Sequence, residues 1–295
     1  MSFKKTMKLG FIGFICTPPK TVTDPEAVIA WQVNKAAELD CQVFHCNPGF
    51  SDQAGMERTK ALIDAKGIEL ELGAAGTFGL VGPDAAASRK LFEKSIEQAK
   101  FYGSKIIRCG YGRLNVATTR WNRNFPIKEH MQLLVDNLKE AAKIIEGTDT
   151  LLAIENHCDF KGKEFVEIFD AVGSTSVGAA LDTANGFTVF CDPNEDVEVL
   201  APYAITTHIK DMRVWDYETG DRLIRMLPFG CAVGEGNVDV PRAIDLLDKL
   251  SPHADGLHLI IEQGWSTYFE NIPFDQQDKE MLYRGLKYIK GVINA

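Results

Sequence analysis

Leu151-Leu152-Ala153-Ile154-Glu155, Val177-Gly178-Ala179-Ala180-Leu181-Asp182 and Ala204-Ile205-Thr206-Thr207-His208 are three short apolar runs, each ending on a proton- or metal-binding side chain. A fourth run, Leu257-His258-Leu259-Ile260-Ile261-Glu262, ends the same way. From 155 to 182 is 27 residues, and from 182 to 208 is 26. From 208 to 262 is 54, because an insertion spans 214–236. Runs of this length with helical patterns between them predict buried parallel strands joined by crossover helices.

The same rhythm extends to the start of the chain. Further strands are expected at Lys8–Ile15, Gln42–Asn47, Ile68–Ala74 and Lys105–Cys109, making eight. Asp24-Pro25-Glu26 predicts a capped helix start with proline at the first helical position. Pro83-Asp84 opens another helix, with Leu91, Phe92, Ile96 and Ala99 on one stripe. Leu134, Leu138, Ala141 and Ile145 form a second stripe, and Leu282, Leu286, Ile289 and Ile293 a third near the C-terminus. Gly67 and Gly173 mark helix ends. Eight βα units in 295 residues predict an α/β fold, a (β/α)8 TIM barrel forming a single domain over residues 1–295. An open doubly wound sheet would show a glycine-rich turn after its first strand, and here that strand runs into Cys16-Thr17-Pro18-Pro19.

Composition narrows the function. The chain is 45% hydrophobic and 25% charged, which excludes disorder and fibrous repeats. With 32 basic and 41 acidic residues the net charge is −9, and no basic face for nucleic acid emerges. The apolar run 9–15 is too short to cross a bilayer. The expectation is a cytoplasmic protein with no nucleic-acid or membrane partner. A homo-oligomer is compatible with the sequence, but no segment predicts an interface. Seven scattered cysteines without a C-x-x-C pair predict reduced thiols.

Two long loops are expected at 113–126 and 214–236, each beyond a strand's C-terminal end. That end is where a barrel of this type does chemistry. The arginines at 113, 120 and 123 read as a solvated loop surface.

Strands five to eight deliver Glu155, Asp182, His208 and Glu262 to one rim. Three adjacent carboxylates repel, and a divalent cation removes the conflict. Oxygen and nitrogen donors without thiolate suit one Mn²⁺, with Mg²⁺, Co²⁺ or Zn²⁺ as alternatives. Alternation along each strand places His157 and Lys210 just above this site, where substrate would lie. His258 falls well below it, as a core histidine. His45 ends strand two and Arg108 lies near the end of strand four, both placed to reach a bound substrate. Trp121, Trp215 and Trp265 follow strand ends and offer flat stacking faces for a substrate; Trp31, inside the first helix, is assigned to the core. Lys210 also has Asp211 beside it as a salt-bridge partner.

The segments Ile154-Glu155-Asn156-His157, Leu181-Asp182-Thr183-Ala184-Asn185, His208-Ile209-Lys210-Asp211, Gly234-Glu235-Gly236-Asn237-Val238-Asp239 and Ile260-Ile261-Glu262 resemble the xylose-isomerase-like TIM-barrel superfamily. Within it they look most like the sugar phosphate isomerase/epimerase group, which includes ketose 3-epimerases. The resemblance implies one divalent metal on Glu155, Asp182, His208 and Glu262, with Glu155 and Glu262 as the proton-transfer pair. It implies a metal-dependent isomerase or epimerase acting on a small-molecule keto sugar. Asn185 stands where ketose 3-epimerases commonly carry histidine, and His157 is the residue to take over that contact. The alternative is a lyase or hydrolase on a 3-oxo-glycoside or keto-inositol, which shares the first chemical step. A non-catalytic sugar-binding or scaffold barrel is the further alternative, and it predicts a broken acid pair. The DNA-repair endonucleases of this superfamily use a larger set of histidines than the six here.

Overall fold

A computed structural model describes residues 2–48, 52–112, 116–218, 224–263 and 274–295. Its strands are β1 (Lys8–Ile12), β2 (Val43–His45), β3 (Glu69–Gly73), β4 (Ile106–Gly110), β5 (Leu151–Glu155), β6 (Val177–Asp182), β7 (Ala204–Ile209), β8 (Asp211–Glu218), β9 (Ile224–Cys231) and β10 (His258–Ile261). Its helices are α1 (Pro25–Glu38), α2 (Gln53–Lys66), α3 (Ala85–Tyr102), α4 (Ile127–Ile145), α5 (Gly162–Val172), α6 (Pro193–Leu200), α7 (Val240–Leu250) and α8 (Phe274–Asn294). Eight parallel strands close into a barrel in the order β1-β10-β7-β6-β5-β4-β3-β2. This is the expected (β/α)8 TIM barrel.

Local chemistry sets the element ends. The Asp24 carboxylate accepts from the Ala27 N–H at 2.8 Å and caps α1. Gly67 and Gly173 end α2 and α5 with φ of 64° and 66°, a left-handed conformation that penalises a Cβ. The main core lies between the barrel wall and the helices, where Leu134, Leu138, Ala141 and Ile145 of α4 are all fully buried.

Two expectations differ in detail. Leu91 of α3 is exposed, and Ser95 takes the buried place. The Ser95 hydroxyl donates to Leu91 O and accepts from the Ala75 N–H, so a polar residue satisfies that packing position. The region 214–236 is largely a hairpin rather than a loop, with Val214 opposite Pro228 and Trp215 opposite Leu227. Its alternating polar and apolar residues favour pairing once a second strand is adjacent. Residues 219–223 lie outside the described residues, as do Arg113 and Trp265. Among the described residues, no helix is long and apolar enough to cross a membrane.

Gly10 shows how closely the barrel wall is built. A Cβ there would sit 2.0 Å from the backbone oxygen of Val43, on the neighbouring strand β2. Gly291 lies in α8, and a Cβ added to it would meet nothing within 4 Å. Gly10→Ala is therefore expected to lose ~3 kcal/mol, the upper end for overpacking, and Gly291→Ala to gain ~0.5–1 kcal/mol, in urea denaturation. Equal effects of the two substitutions would contradict this packing.

Candidate metal centre and active-site cavity

Strand register gathers the site. Asp182 pairs with His208 across β6 and β7, and Ile261 pairs with Ile209 across β10 and β7. Glu262 follows directly, its N–H donating to Ile209 O at 3.1 Å. Glu155 pairs with Ala180, one inward step below Asp182, and its longer side chain spans the offset. One ligand atom from each of Glu155, Asp182, His208 and Glu262 lies within 4.8 Å of the others.

Glu155, Asp182 and His208 are almost fully removed from water, and Glu262 is partly exposed at the cavity. Exposure is 8% for Glu155 and 1% for both Asp182 and His208. Asp182 Oδ2 and Glu262 Oε2 are buried and accept no well-formed hydrogen bond among the described residues. Two cations offset the acids. The Lys210 ammonium lies 3.1 Å from Asp182 Oδ2 and 3.5 Å from Glu262 Oε1, and donates to Asn185 Oδ1 at 3.2 Å. Arg108 Nη2 donates to Glu155 Oε2 at 2.7 Å. His208 Nδ1 contacts Glu262 Oε2 and lies 3.4 Å from Glu155 Oε1.

The titration of the cluster follows from these contacts. Burial raises Glu155, but Arg108 and His208 outweigh it and hold its pKa well below the ordinary value. Burial likewise opposes ionisation of Glu262, yet His208 and Lys210 bring it down to about 2. Burial raises Asp182, which Lys210 only partly offsets. For His208, burial and Arg108 act downward, while Glu262 and Glu155 prevail and pull it up to about 9. A group of carboxylates this close, with two buried oxygens that have ion-pair contacts but no hydrogen bond and an imidazole that the acids hold protonated, fits a divalent cation. The cation would occupy the place of that proton's charge and satisfy the oxygens.

The cluster opens into a cavity of about 430 Å³, lined by His45, Arg108, Glu155, His157, His208 and Glu262 among others. His157 is half-buried, its Nδ1 3.2 Å from Cys158 Sγ. Lys210 is 7% exposed and engaged with the acids below the cavity surface. Trp121 is 45% exposed and packs edge-on against Phe190, with ring centroids 5.3 Å apart. Trp215 is also exposed, on the β8–β9 hairpin.

Arg108 is 4% exposed and makes its contacts with protein groups on every side: Glu155, His208, His45 and, at 3.7 Å, Glu71. The Lys210–Asp211 pair anticipated from adjacency does not form. Neighbouring strand residues point to opposite faces, so Lys210 turns to the acids and Asp211 turns away. Asp211 instead accepts from the N–H groups of Gly234, Gly236 and Val238 at 3.0, 2.8 and 3.1 Å, anchoring the hairpin's return to the barrel. Arg120 is an anchor too, donating to Glu164 Oε2 at 2.6 Å.

Sequence similarity now gives the family. The xylose isomerase-like TIM barrel family matches residues 33–290. The chain belongs to that family. No curated protein matches the sequence. Solved structures share the barrel along nearly their whole length. A xylose isomerase-like TIM barrel protein from Mycobacterium smegmatis, in complex with magnesium, is 16% identical with a TM-score of 0.69, covering 99% of this chain and 98% of that one. D-psicose 3-epimerase with D-tagatose, from Clostridium cellulolyticum H10, is 15% identical with a TM-score of 0.67, covering 98% of each. A 3-keto-D-glucoside 4-epimerase from E. coli is 13% identical with a TM-score of 0.66, covering 97% of this chain and 99% of that one. At these identities the likeness is one of fold.

Two groups beneath this xylose isomerase-like site escape a reading of the sequence. Asn156 brackets Asp182, its amide donating to Asp182 O and its carbonyl accepting from the Asp182 N–H. Glu71 is fully buried inside the barrel, accepting from Thr206 Oγ1 at 2.7 Å and from His258 Nδ1 at 2.9 Å. His258 Nε2 reaches Glu69 Oε2 at 3.2 Å. Burial works against its protonation, but Glu69 and Glu71 hold its pKa up at about 9. An unfolded histidine titrates near 6.5, so this pairing stabilises the fold fully below that pH. The contribution fades as pH rises through about 9. His258→Gln should cost about 3–5 kcal/mol at pH 6 and flatten the loss of stability between pH ~6.5 and ~9. Unchanged slope in that window, measured by urea denaturation, would contradict the ion pair.

Proposed function

We propose that the protein is a divalent-metal-dependent isomerase or epimerase acting on a keto sugar or sugar derivative by proton transfer. The observation that carries this is the convergence of Glu155, Asp182, His208 and Glu262 within 4.8 Å at the floor of the cavity. Those four residues would hold one ion, Mn²⁺ by preference and Mg²⁺, Co²⁺ or Zn²⁺ as alternatives. When bound, such an ion polarises a substrate carbonyl and makes the adjacent C–H bond more acidic.

The chain's own groups supply the proton transfers. Glu155 and Glu262 come from strands on different sides of the cluster, and both are ionised at neutral pH. One carboxylate removes the proton beside the ketone, and the other returns a proton from the opposite face, inverting the carbon. Return to the neighbouring carbon instead moves the ketone along the chain, and the same step begun at a terminal CH2OH carbon interconverts ketose and aldose. Lys210, fixed between Asp182 and Glu262, places positive charge beside the oxygens that gain electron density. His157 and His45 line the cavity and contact substrate hydroxyls. Trp121, Trp215 and Trp265 are the proposed carbohydrate-facing aromatics.

Structural neighbours that act on or are crystallised with keto sugars support the substrate class. A second reading is elimination from a 3-oxo-glycoside or keto-inositol. His157 favours it, since a half-buried imidazole on the same cavity is suited to protonate a departing oxygen.

Incubation with ketoses in D₂O after Mn²⁺ loading separates the readings. The proposal expects one solvent deuterium at the carbon next to the ketone in a product isomeric with substrate. Glu155→Gln and Glu262→Gln should each lower the exchange rate by about 10²–10⁴-fold. Release of an aglycone or water would favour elimination. Full exchange activity in either variant would remove that residue from the proton-transfer pair.

A further inference from the structure

Asn156 follows Glu155 at the end of β5, and Thr183 follows Asp182 at the end of β6. Side chains alternate along a strand, so neither points into the cluster of acids. Each reaches sideways to the next strand. The Asn156 amide donates to Asp182 O at 2.9 Å, and its carbonyl accepts from the Asp182 N–H at 2.7 Å. The Thr183 hydroxyl donates to Lys210 O at 2.6 Å and accepts from the Lys210 N–H at 2.9 Å. Each side chain thereby extends the ladder one step past its own strand, standing in for a backbone pair. The Thr183 N–H also donates to His208 O at 3.0 Å. Asn156 and Thr183 are 3% and 0% exposed, so water does not compete for these bonds.

The main chain held in this way fixes the Asp182 carboxylate. Its Oδ1 accepts from the N–H groups of Ala184 and Asn185, both at 2.8 Å. A carboxylate oxygen has two lone pairs, and both are used here. Oδ2 accepts no hydrogen bond and has the Lys210 ammonium at 3.1 Å. One oxygen is left for an ion. The other would have to give up a buried backbone N–H to join it.

We propose that Asn156 is a positioning residue that holds Asp182 as a one-oxygen ligand, and that this makes the site select a small octahedral ion such as Mn²⁺ against Ca²⁺. The inference rests on the reading of Glu155, Asp182, His208 and Glu262 as a metal centre. Ca²⁺ gathers ~6–8 oxygens at longer distances and often takes both oxygens of a carboxylate. A carboxylate that cannot open to two oxygens, beside a histidine nitrogen, suits the smaller ions better. Without the Asn156 bracket the turn after β6 loosens, the carboxylate can rotate, and the discrimination falls.

The test is calorimetric titration of metal-stripped full-length protein with Mn²⁺ and, separately, with Ca²⁺. Native protein should bind Mn²⁺ at least ~10²-fold more tightly than Ca²⁺. Asn156→Leu keeps the shape and removes both hydrogen bonds. It should weaken Mn²⁺ binding by about 10–100-fold and Ca²⁺ binding much less. Circular dichroism checks its folding. Infrared spectra of native protein carrying ¹³C in the aspartate carboxyl groups decide the ligation mode without that variant. The Asp182 bands are assigned by their loss in Asp182→Asn. A carboxylate bound through one oxygen has widely separated symmetric and antisymmetric stretches, and one bound through both has a narrow separation. Mn²⁺ should widen the Asp182 separation. Equal affinity of native protein for the two ions, a narrowed separation with Mn²⁺, or parallel loss of both ions in Asn156→Leu would overturn the inference and leave the metal centre standing. Failure of native protein to bind Mn²⁺ at all would remove the metal centre and this inference together.

Discussion

Three carboxylates within 4.8 Å of one another, almost without water, form an arrangement that folding does not favour unless opposite charge is brought to meet it. Much of the barrel's interior is organised around that constraint. Lys210 and Arg108 approach the acids from two sides, and His208 is driven toward its charged form between them. Asn156 and Asn185 fix the acid geometry with neutral hydrogen bonds, the Asn185 amide donating to Glu155 Oε1 at 3.2 Å. Such a cluster could hold a cation, and its close acids come at the expense of local stability.

The compensation continues down the barrel axis. Arg108 is steadied by Glu71, Glu71 by Thr206 and His258, and His258 by Glu69. Glu69 meets Lys8 at 2.5 Å near the opposite end of the barrel. The interior of a barrel of this type is usually filled with layers of branched apolar side chains. Here a small apolar layer of Ile106, Ala153, Ala180 and Ile205 shares that space with an alternating ladder of charge. The ladder links the rigidity of the site to packing far from it. It explains why an arginine close to the cavity serves the protein's geometry.

The barrel and the four converging side chains are legible in the sequence for one reason. Each of β5, β6, β7 and β10 is an apolar run whose first polar residue beyond the wall belongs to the site, and their spacing is that of βα units. Glu71 is hidden because Glu69-Leu70-Glu71-Leu72 has the alternation of a strand with one solvated face. In a closed barrel both faces are covered: Leu70 and Leu72 belong to the core around the wall, and Glu71 points inward. The β8–β9 hairpin escapes a local reading because its partner strand is supplied by tertiary proximity. Arg108's environment depends on side chains from β2, β3, β5 and β7, which no local pattern relates. Alternation alone separates Lys210 from Asp211, and adjacency in sequence is the weaker guide.

The most direct test is the metal content of the protein, by elemental mass spectrometry after Mn²⁺ loading and exhaustive dialysis. Native protein, Glu262→Gln and the distant surface variant Glu235→Gln would be treated identically. The account predicts about one ion per chain in native protein and in Glu235→Gln, and little in Glu262→Gln. No retained ion in native protein, or equal retention in all three, would contradict a metal centre built from Glu155, Asp182, His208 and Glu262.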